Sequence, residues 1–199
     1  MGEIPVTQYE IELTGPLRWY GGDRSENVFE CPDSQKPGIY IWAIPYKQSY
    51  LVYYVGETGR SFAERFGEHT KEYVSGLYRI YDPGEFAQGR KRLIWEGMWK
   101  PGTQHRTGEF LIRYEELAPQ IHRFLGVFRI FLVPFEGEKR LRERIEAAIA
   151  QSLQRQEGIG DQFQDIEIRY APRREGEEPI MIKLRCSASI FGLPEELVV

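Results

Sequence analysis

Four side chains between residues 40 and 69 have the chemistry to move protons and to stabilise negative charge. They are Tyr40, Tyr54, Arg65 and His69. A tyrosine has a reference pKa of about 10, so it acts as a general base only where nearby cations lower that pKa. An arginine keeps its charge and stabilises negative charge that develops beside it, while a histidine orients a phenol or relays its proton. Together these residue types suit acid–base chemistry on an anionic substrate.

Strand and helix signals predict the elements that position these side chains. Residues 39–44 and 50–55 are runs of aromatic and branched residues separated by a five-residue loop, which is typical of a β-hairpin. Gly56 is predicted to end the second strand. Ser61, with Glu64 three residues later, has the spacing of a capping box and predicts that a helix begins there. The predicted order is therefore strand, strand, helix.

The faces of these elements are predicted to bring the four side chains together. Arg65 and His69 are four residues apart, so both project from one flank of the helix. Side chains alternate along a strand, so Tyr54 is predicted to share a face with Val52. The phenol of Tyr40, on the neighbouring strand, is expected to stand near the same helix flank.

A second helix is predicted over residues 138–156, after a buried strand at residues 127–135. On this helix Glu146 lies at the border of the apolar stripe, whereas Glu143 belongs to the charged face. A carboxylate at that border is costly unless it has a partner. A metal ion would serve as that partner, and so would Arg142, four residues earlier.

These patterns resemble those of the GIY-YIG nuclease family. The resemblance rests on Gly38-Ile39-Tyr40, Tyr54-Val55-Gly56, Arg65 and His69, which occur in the family's order. It implies an α+β fold in which a small central antiparallel β-sheet is flanked by helices. It also implies a catalytic site that consists of Tyr40, Tyr54, Arg65, His69 and Glu146, with Gly38 and Gly56 as motif residues.

The same resemblance implies a metal ion and a reaction. In the family, one glutamate on a helix after the third strand binds the metal, and residues 145–149 resemble that helix. We therefore expect Mg²⁺ or Mn²⁺ at Glu146, with Glu143 as the alternative ligand. Because Mg²⁺ usually takes one or two carboxylates together with water and substrate phosphate, one glutamate suffices. The implied activity is hydrolysis of DNA phosphodiester bonds by a restriction-type or repair-type endonuclease.

The rest of the chain is predicted to elaborate this catalytic core. Residues 1–36 are interpreted as an N-terminal extension, residues 37–160 as the GIY-YIG-like domain, and residues 161–199 as a C-terminal β extension packed on it. Within the domain, residues 74–113 contain many glycines and prolines. This composition predicts short helices and loops, and we interpret the segment as an insertion.

Four further features are predicted after the insertion. A helix over residues 114–125 is interrupted at Pro119, and strands are expected at residues 166–170 and 180–184. Residues 193–199 are expected to form a short tail.

The inserted segment is locally basic and aromatic, which is the character of a nucleic-acid surface. The side chains from which we expect nucleic-acid contacts are Arg60, Arg90, Lys91, Arg92, Trp95, Lys100 and Arg106. In the alternative, residues 93–99 form the apolar face of a small helix and the charges are merely solvated. The sequence leaves both interpretations open.

Composition limits what the whole chain can do. With 199 residues, of which 41% are hydrophobic, the chain suits one elaborated domain with a substantial core. Its net charge of −4 disfavours nucleic-acid binding by bulk attraction, so any such site is local. Cys31 and Cys186 lack the spacing of a metal or redox site and are expected to be reduced thiols. The chain has neither a secretion signal nor an apolar run of 18 residues, so we expect a soluble, cytoplasmic protein.

Three departures from the family pattern leave the substrate open. Glu57 stands where many members carry lysine, 81 positions separate Arg65 from Glu146, and the asparagine often found after the catalytic helix has only Asp161 as a candidate. An alternative function is therefore a catalytically weak or inactive module with the same fold that binds nucleic acid or is recruited by a partner. The sequence does not distinguish DNA from RNA, or a monomer from a homodimer.

Overall fold

The computed structural model describes residues 7–156, 158, 162–165 and 169–199. This part of the chain forms the predicted α+β structure. Its strands are β1 (Gln8–Glu12), β2 (Thr14–Leu17), β3 (Gly38–Tyr46), β4 (Ser49–Thr58), β5 (Ile80–Tyr81), β6 (Leu93–Trp95), β7 (Arg129–Pro134), β8 (Met181–Arg185) and β9 (Glu196–Val198). Its α-helices are α1 (Phe62–Val74), α2 (Pro83–Phe86), α3 (Thr107–Ile112), α4 (Tyr114–Val127) and α5 (Lys139–Gln154), and Arg24–Glu26 and Gln104–Arg106 form 3₁₀ turns.

A four-stranded antiparallel sheet in the order β2-β7-β3-β4 lies at the centre. The predicted hairpin is confirmed as β3 and β4, but the predicted five-residue loop is wrong. Pro45 pairs with Tyr50, so only Lys47 and Gln48 remain unpaired between the strands. Lys47 has a positive φ of 53°, which is the backbone conformation that tight hairpin turns use. The second strand also continues beyond Gly56, contrary to prediction.

A β-bulge in β4 changes which side chains share a face. Trp42 pairs with Tyr54 and Ala43 pairs with Val52, so Tyr53 is an extra residue on β4. Tyr54 therefore packs on the face that also holds Tyr53, whereas Val52 is buried on the opposite face. The prediction that Tyr54 and Val52 share a face is wrong for this reason.

Apolar side chains fill both faces of the central sheet. On one face, aromatic residues of the sheet pack against α1, α4 and the segment 77–110. On the other face, β3, β4 and β7 pack against α5 and a second sheet of order β1-β8-β9. The predicted helix at residues 138–156 is confirmed as α5, with Ile145 and Ile149 buried on its core face. The hairpin therefore lies between α1 and α4 on one side and α5 with the second sheet on the other.

Several other elements differ from the sequence predictions. α4 continues through Pro119, because Leu117 and Ile121 on either side of it are both buried in the core. The predicted C-terminal tail contains β9, which pairs with β8. The strand expected at residues 166–170 falls largely on residues 166–168, and these lie outside the described residues, as does Asp161.

The terminal segments and the proposed insertion contribute strands. β2 belongs to the central sheet, and β1 pairs in parallel with β8. Within residues 74–113, β5 and β6 form a two-stranded sheet. The small helix considered for residues 93–99 is wrong, because the first three of these residues are strand β6. Both cysteines are free, and none of the helices in the described part of the chain is long and apolar enough to cross a membrane.

Candidate active site

Tyr40 and Tyr54 stand side by side on the sheet face that α1 covers. Their ring centroids are 5.9 Å apart and the rings are inclined by 25°. Gly56 pairs with Tyr40 across the hairpin, and a Cβ atom on Gly56 would lie 2.5 Å from the Tyr40 hydroxyl and 2.6 Å from a Tyr54 ring carbon. A side chain at position 56 would therefore displace both phenols. The glycine of the second motif is required by this close approach.

α1 begins with the predicted capping box, in which Ser61 and Glu64 each accept from the other's backbone N–H. The helix then projects Arg65 and His69 towards the phenols, as its spacing predicts. The Nε–H of Arg65 donates to the Tyr40 hydroxyl at 3.2 Å, and His69 Nε2 lies 2.9 Å from the same hydroxyl. Arg65 and His69, from the helix, thus meet at the hydroxyl oxygen of Tyr40.

His69 is held by a second layer of side chains. Its ring is 1% exposed, its Nδ1 lies 3.1 Å from the Tyr78 hydroxyl, and Glu72 Oε2 is 3.6 Å from the same nitrogen. Burial lowers the pKa of His69, so its imidazole is neutral at pH 7 and keeps one ring nitrogen as a proton acceptor. Sequence reasoning missed both partners. The spacing of Glu72, three residues after His69 on one helix, is a signal for the first, but nothing in the sequence marks Tyr78.

The two phenols differ in how readily they ionise. Burial raises the pKa of Tyr40 well above its ordinary value, and the Arg65 guanidinium offsets only part of that rise. Burial also raises the pKa of Tyr54, but the hydrogen bond with Tyr40 and the charge of Arg65 lower it. Both phenols are neutral at pH 7. Tyr54 is only partly buried, whereas Tyr40 is fully buried.

Glu146 lies on α5 close to β4, the edge strand of the sheet. Its carboxylate accepts a hydrogen bond from the Glu57 backbone N–H, and its charge raises the pKa of Tyr54. Burial, followed by repulsion from the Glu57 carboxylate, raises the pKa of Glu146 to about 8. Glu146 is only partly buried, and a bound cation would favour its charged form.

The geometry fits neither Arg142 as the ion-pair partner of Glu146 nor Glu143 as the metal ligand. Arg142 does not pair with Glu146, because its Nε donates to Glu57 Oε2 at 3.2 Å and its Nη1 to the Gly137 carbonyl. Glu143 pairs with Lys139 and Arg140 at 3.5 and 3.6 Å. Its charge is therefore already balanced.

The donor set around Glu146 suits a magnesium-like cation that keeps most of its water. Among the described residues, no group of three or more His, Cys, Asp or Glu side chains could form a protein cage for a metal. Mg²⁺ does not require one, since it is commonly bound by one or two carboxylates plus water and substrate phosphate. Glu146 supplies one such carboxylate, whereas the neighbouring Glu57 carboxylate already pairs with Arg142.

Most of the predicted nucleic-acid contacts are occupied within the protein. Arg60 pairs with Glu68, Arg90 with Glu85, and Arg92 with Asp82. Lys91 turns inward, where its Nζ donates to the Gln164 carbonyl at 2.7 Å, and Trp95 is buried. Arg106 lies over the Trp95 ring at 4.4 Å and pairs with Glu109. Lys100 differs from the rest, because it has no acidic partner in the part of the chain that the structure describes.

A cavity of about 410 Å³ opens beside Tyr54 and Arg65. β3, β4 and α1 form one wall, and residues from the proposed insertion form the other. The residues of this second wall are Leu77, Tyr78, Arg79, Glu96, Gly97, Trp99, Lys100, Thr103 and Arg106. Tyr54, Arg65 and His69 thus face this open space, which we call the Trp99 cavity.

Comparison of the chain with protein-family models, curated proteins and solved structures returns no match.

Proposed function

We propose that the protein is a metal-dependent endonuclease that hydrolyses DNA phosphodiester bonds at a GIY-YIG-type site. One observation carries the proposal: the Tyr40 hydroxyl contacts both Arg65 Nε and His69 Nε2 and lies beside Tyr54. A structural role alone does not require a guanidinium, a neutral imidazole and a second phenol around one hydroxyl group beside a cavity. Buried polar groups of this kind are costly and are retained where they act on a substrate.

Phosphodiester hydrolysis needs a base for the attacking water and positive charge beside the phosphoryl oxygens. Arg65 supplies the charge, since it cannot lose its proton and lines the cavity. Tyr54 is the base, because it lines the cavity whereas Tyr40 is fully buried. Its proton passes to the oxygen of the neighbouring Tyr40 as Tyr40 gives its own proton to His69 Nε2, 2.9 Å away, where the neutral imidazole accepts it.

Glu146 is the residue that would hold the divalent cation, with the Glu57 carboxylate beside it. A bound Mg²⁺ or Mn²⁺ would stabilise the negative charge on the phosphate and on the departing oxygen. Glu146 would bind it as the carboxylate, after losing the proton that its raised pKa retains.

A plasmid-nicking assay tests this function. Wild-type protein with Mg²⁺ or Mn²⁺ should convert supercoiled plasmid to nicked circles, and EDTA should abolish the reaction. Arg65→Ala should lose activity by at least about a hundredfold, the scale on which a donor to developing charge acts. Arg92→Ala is the matched control, because this guanidinium already pairs with Asp82 outside the site.

A second candidate is a DNA-binding module with the same site geometry and no cleavage. It is favoured by the elevated pKa of Glu146 and by the burial that keeps both phenols protonated. If neither metal supports nicking while the folded protein still retards DNA in a gel, this second function replaces the first.

A further inference from the structure

We infer that the Trp99 cavity receives a nucleobase that has left the DNA stack, so that the enzyme acts beside an unpaired nucleotide. The inference rests on the proposed nuclease function and names the class of DNA that the site would take. Its starting point is the position of the cavity. Tyr54 and Arg65 line it, so a base inside would place its own phosphate next to the reactive groups.

The walls of the cavity are aromatic on both sides. Trp42 and Tyr54 come from the sheet, and their ring centroids are 4.6 Å apart. Tyr78 and Trp99 come from the proposed insertion, with centroids 5.6 Å apart. Unpaired bases bind proteins mainly by stacking on such rings, and every base has a flat face to offer.

Trp99 is the most informative of these rings. Its side chain is 66% exposed although it is among the largest apolar groups in the chain. It lies at the mouth of the cavity and contacts Tyr78. A solvent-exposed indole at the edge of an aromatic cavity can stack on a flat ligand that binds there.

Polar groups in the cavity match the edges and the phosphate of a nucleotide. The Arg65 guanidinium lines the cavity and carries N–H donors, and base edges carry nitrogen and oxygen acceptors. Lys100, beside Trp99, supplies a cation for the flanking phosphate.

The size of the cavity selects an extruded base. Its volume of about 410 Å³ lies in the range of small-molecule sites. A base still paired within a duplex cannot enter such a space and must first leave the stack. Leaving is easiest for a base that is already unpaired.

Binding in EDTA tests the inference without any chemistry. Fluorescence anisotropy compares two DNA duplexes of one sequence, one fully paired and one with a single unpaired nucleotide. Wild-type protein should bind the second about tenfold more tightly, and Trp99→Ala should lose that preference because one stacked base contributes about this factor. Trp99→Phe should keep most of it. Phe191→Ala, which removes another exposed ring outside the cavity, should keep all of it.

Equal affinity of the wild-type protein for the two duplexes would overturn the inference, and so would a Trp99→Ala protein that keeps the preference. Failure of the proposed function has a different signature. In that case the unpaired duplex is still preferred in EDTA, but neither duplex is cut when Mg²⁺ is added. Conversely, equal cutting and equal binding of both duplexes would leave the nuclease proposal intact and remove the base site.

Discussion

At the scale of single residues, the protonation of the Glu146 carboxyl group is expected to affect stability. Its folded-state pKa of about 8 lies above its ordinary value of 4.5, so the folded protein holds this proton more tightly than the unfolded chain does. The group therefore costs nothing below about pH 4.5 and destabilises the fold increasingly as the pH rises towards 8. A glutamine at this position has no such dependence.

We predict that Glu146→Gln raises the melting temperature of the metal-free protein at pH 8, where its free energy of unfolding should increase by on the order of 1–3 kcal/mol, and leaves the stability unchanged near pH 4. The same variant should not nick plasmid DNA. Glu143→Gln is the control, since it loses only ion pairs to Lys139 and Arg140. Nicking by the Glu146 variant, together with loss of nicking in the Glu143 variant, would transfer the metal site to Glu143.

The Tyr40 hydroxyl should contribute to stability as well as to chemistry. Tyr40→Phe leaves the buried His69 Nε2 without its partner at 2.9 Å, so we expect a loss of about 1–2 kcal/mol in the free energy of unfolding. Tyr54→Phe should cost less, because Tyr54 is only partly buried. Chemical denaturation measures both losses. Both variants should fail in the nicking assay, and a fully active Tyr40→Phe protein would exclude the proposed proton path.

Much of this residue-level arrangement follows from local sequence. Arg65 and His69 meet the Tyr40 hydroxyl because their spacing fixes a helix flank and the hairpin fixes a sheet face. The partners of the basic residues do not follow, since Arg92 finds Asp82 and Lys91 finds the Gln164 carbonyl only once the chain is folded. The basic cluster in the sequence therefore predicts more unpaired positive charge for DNA contacts than the folded chain presents.

At the scale of elements, the two strands of the hairpin hold Tyr40 and Tyr54 so close to Gly56 that one extra carbon atom matters. We predict that Gly56→Ala abolishes nicking, because its Cβ atom would overlap the Tyr40 hydroxyl and the Tyr54 ring. Gly67→Ala on α1 is the matched control. No atom lies within 4 Å of its added Cβ, so it should keep activity and gain up to about 1 kcal/mol in the free energy of unfolding. Thermal unfolding and nicking of both variants test the contrast.

The elements themselves were predictable where their signals are local. The capping box at Ser61 and the apolar stripe of α5 each lie within a few helical turns. The bulge at Tyr53 leaves no such signal, because one extra residue in a strand is visible only against its partner strand. α4 likewise passes through Pro119, because tertiary burial outweighs the lost backbone hydrogen bond.

At the scale of the whole molecule, the proposed DNA binding by a protein of net charge −4 must rely on few cations. We predict that Lys100→Ala lowers the slope of log affinity against log salt concentration by about one, as expected for one lost phosphate contact. Arg92→Ala should leave the slope unchanged, since its guanidinium already pairs with Asp82. Fluorescence anisotropy across a salt series measures both slopes. Identical slopes for the two variants would place Lys100 outside the DNA interface.

The order of the central sheet also bears on how the chain folds. β3, β4 and α1 are contiguous in sequence, from residue 38 to residue 74, and contain Tyr40, Tyr54, Arg65 and His69. β7 and α5 pack on this unit from far along the chain. Contacts between near neighbours close short loops and form early, whereas distant ones form late. We therefore expect pulsed hydrogen exchange to protect the hairpin first, so that Glu146 joins the other reactive groups only in the last stage of folding.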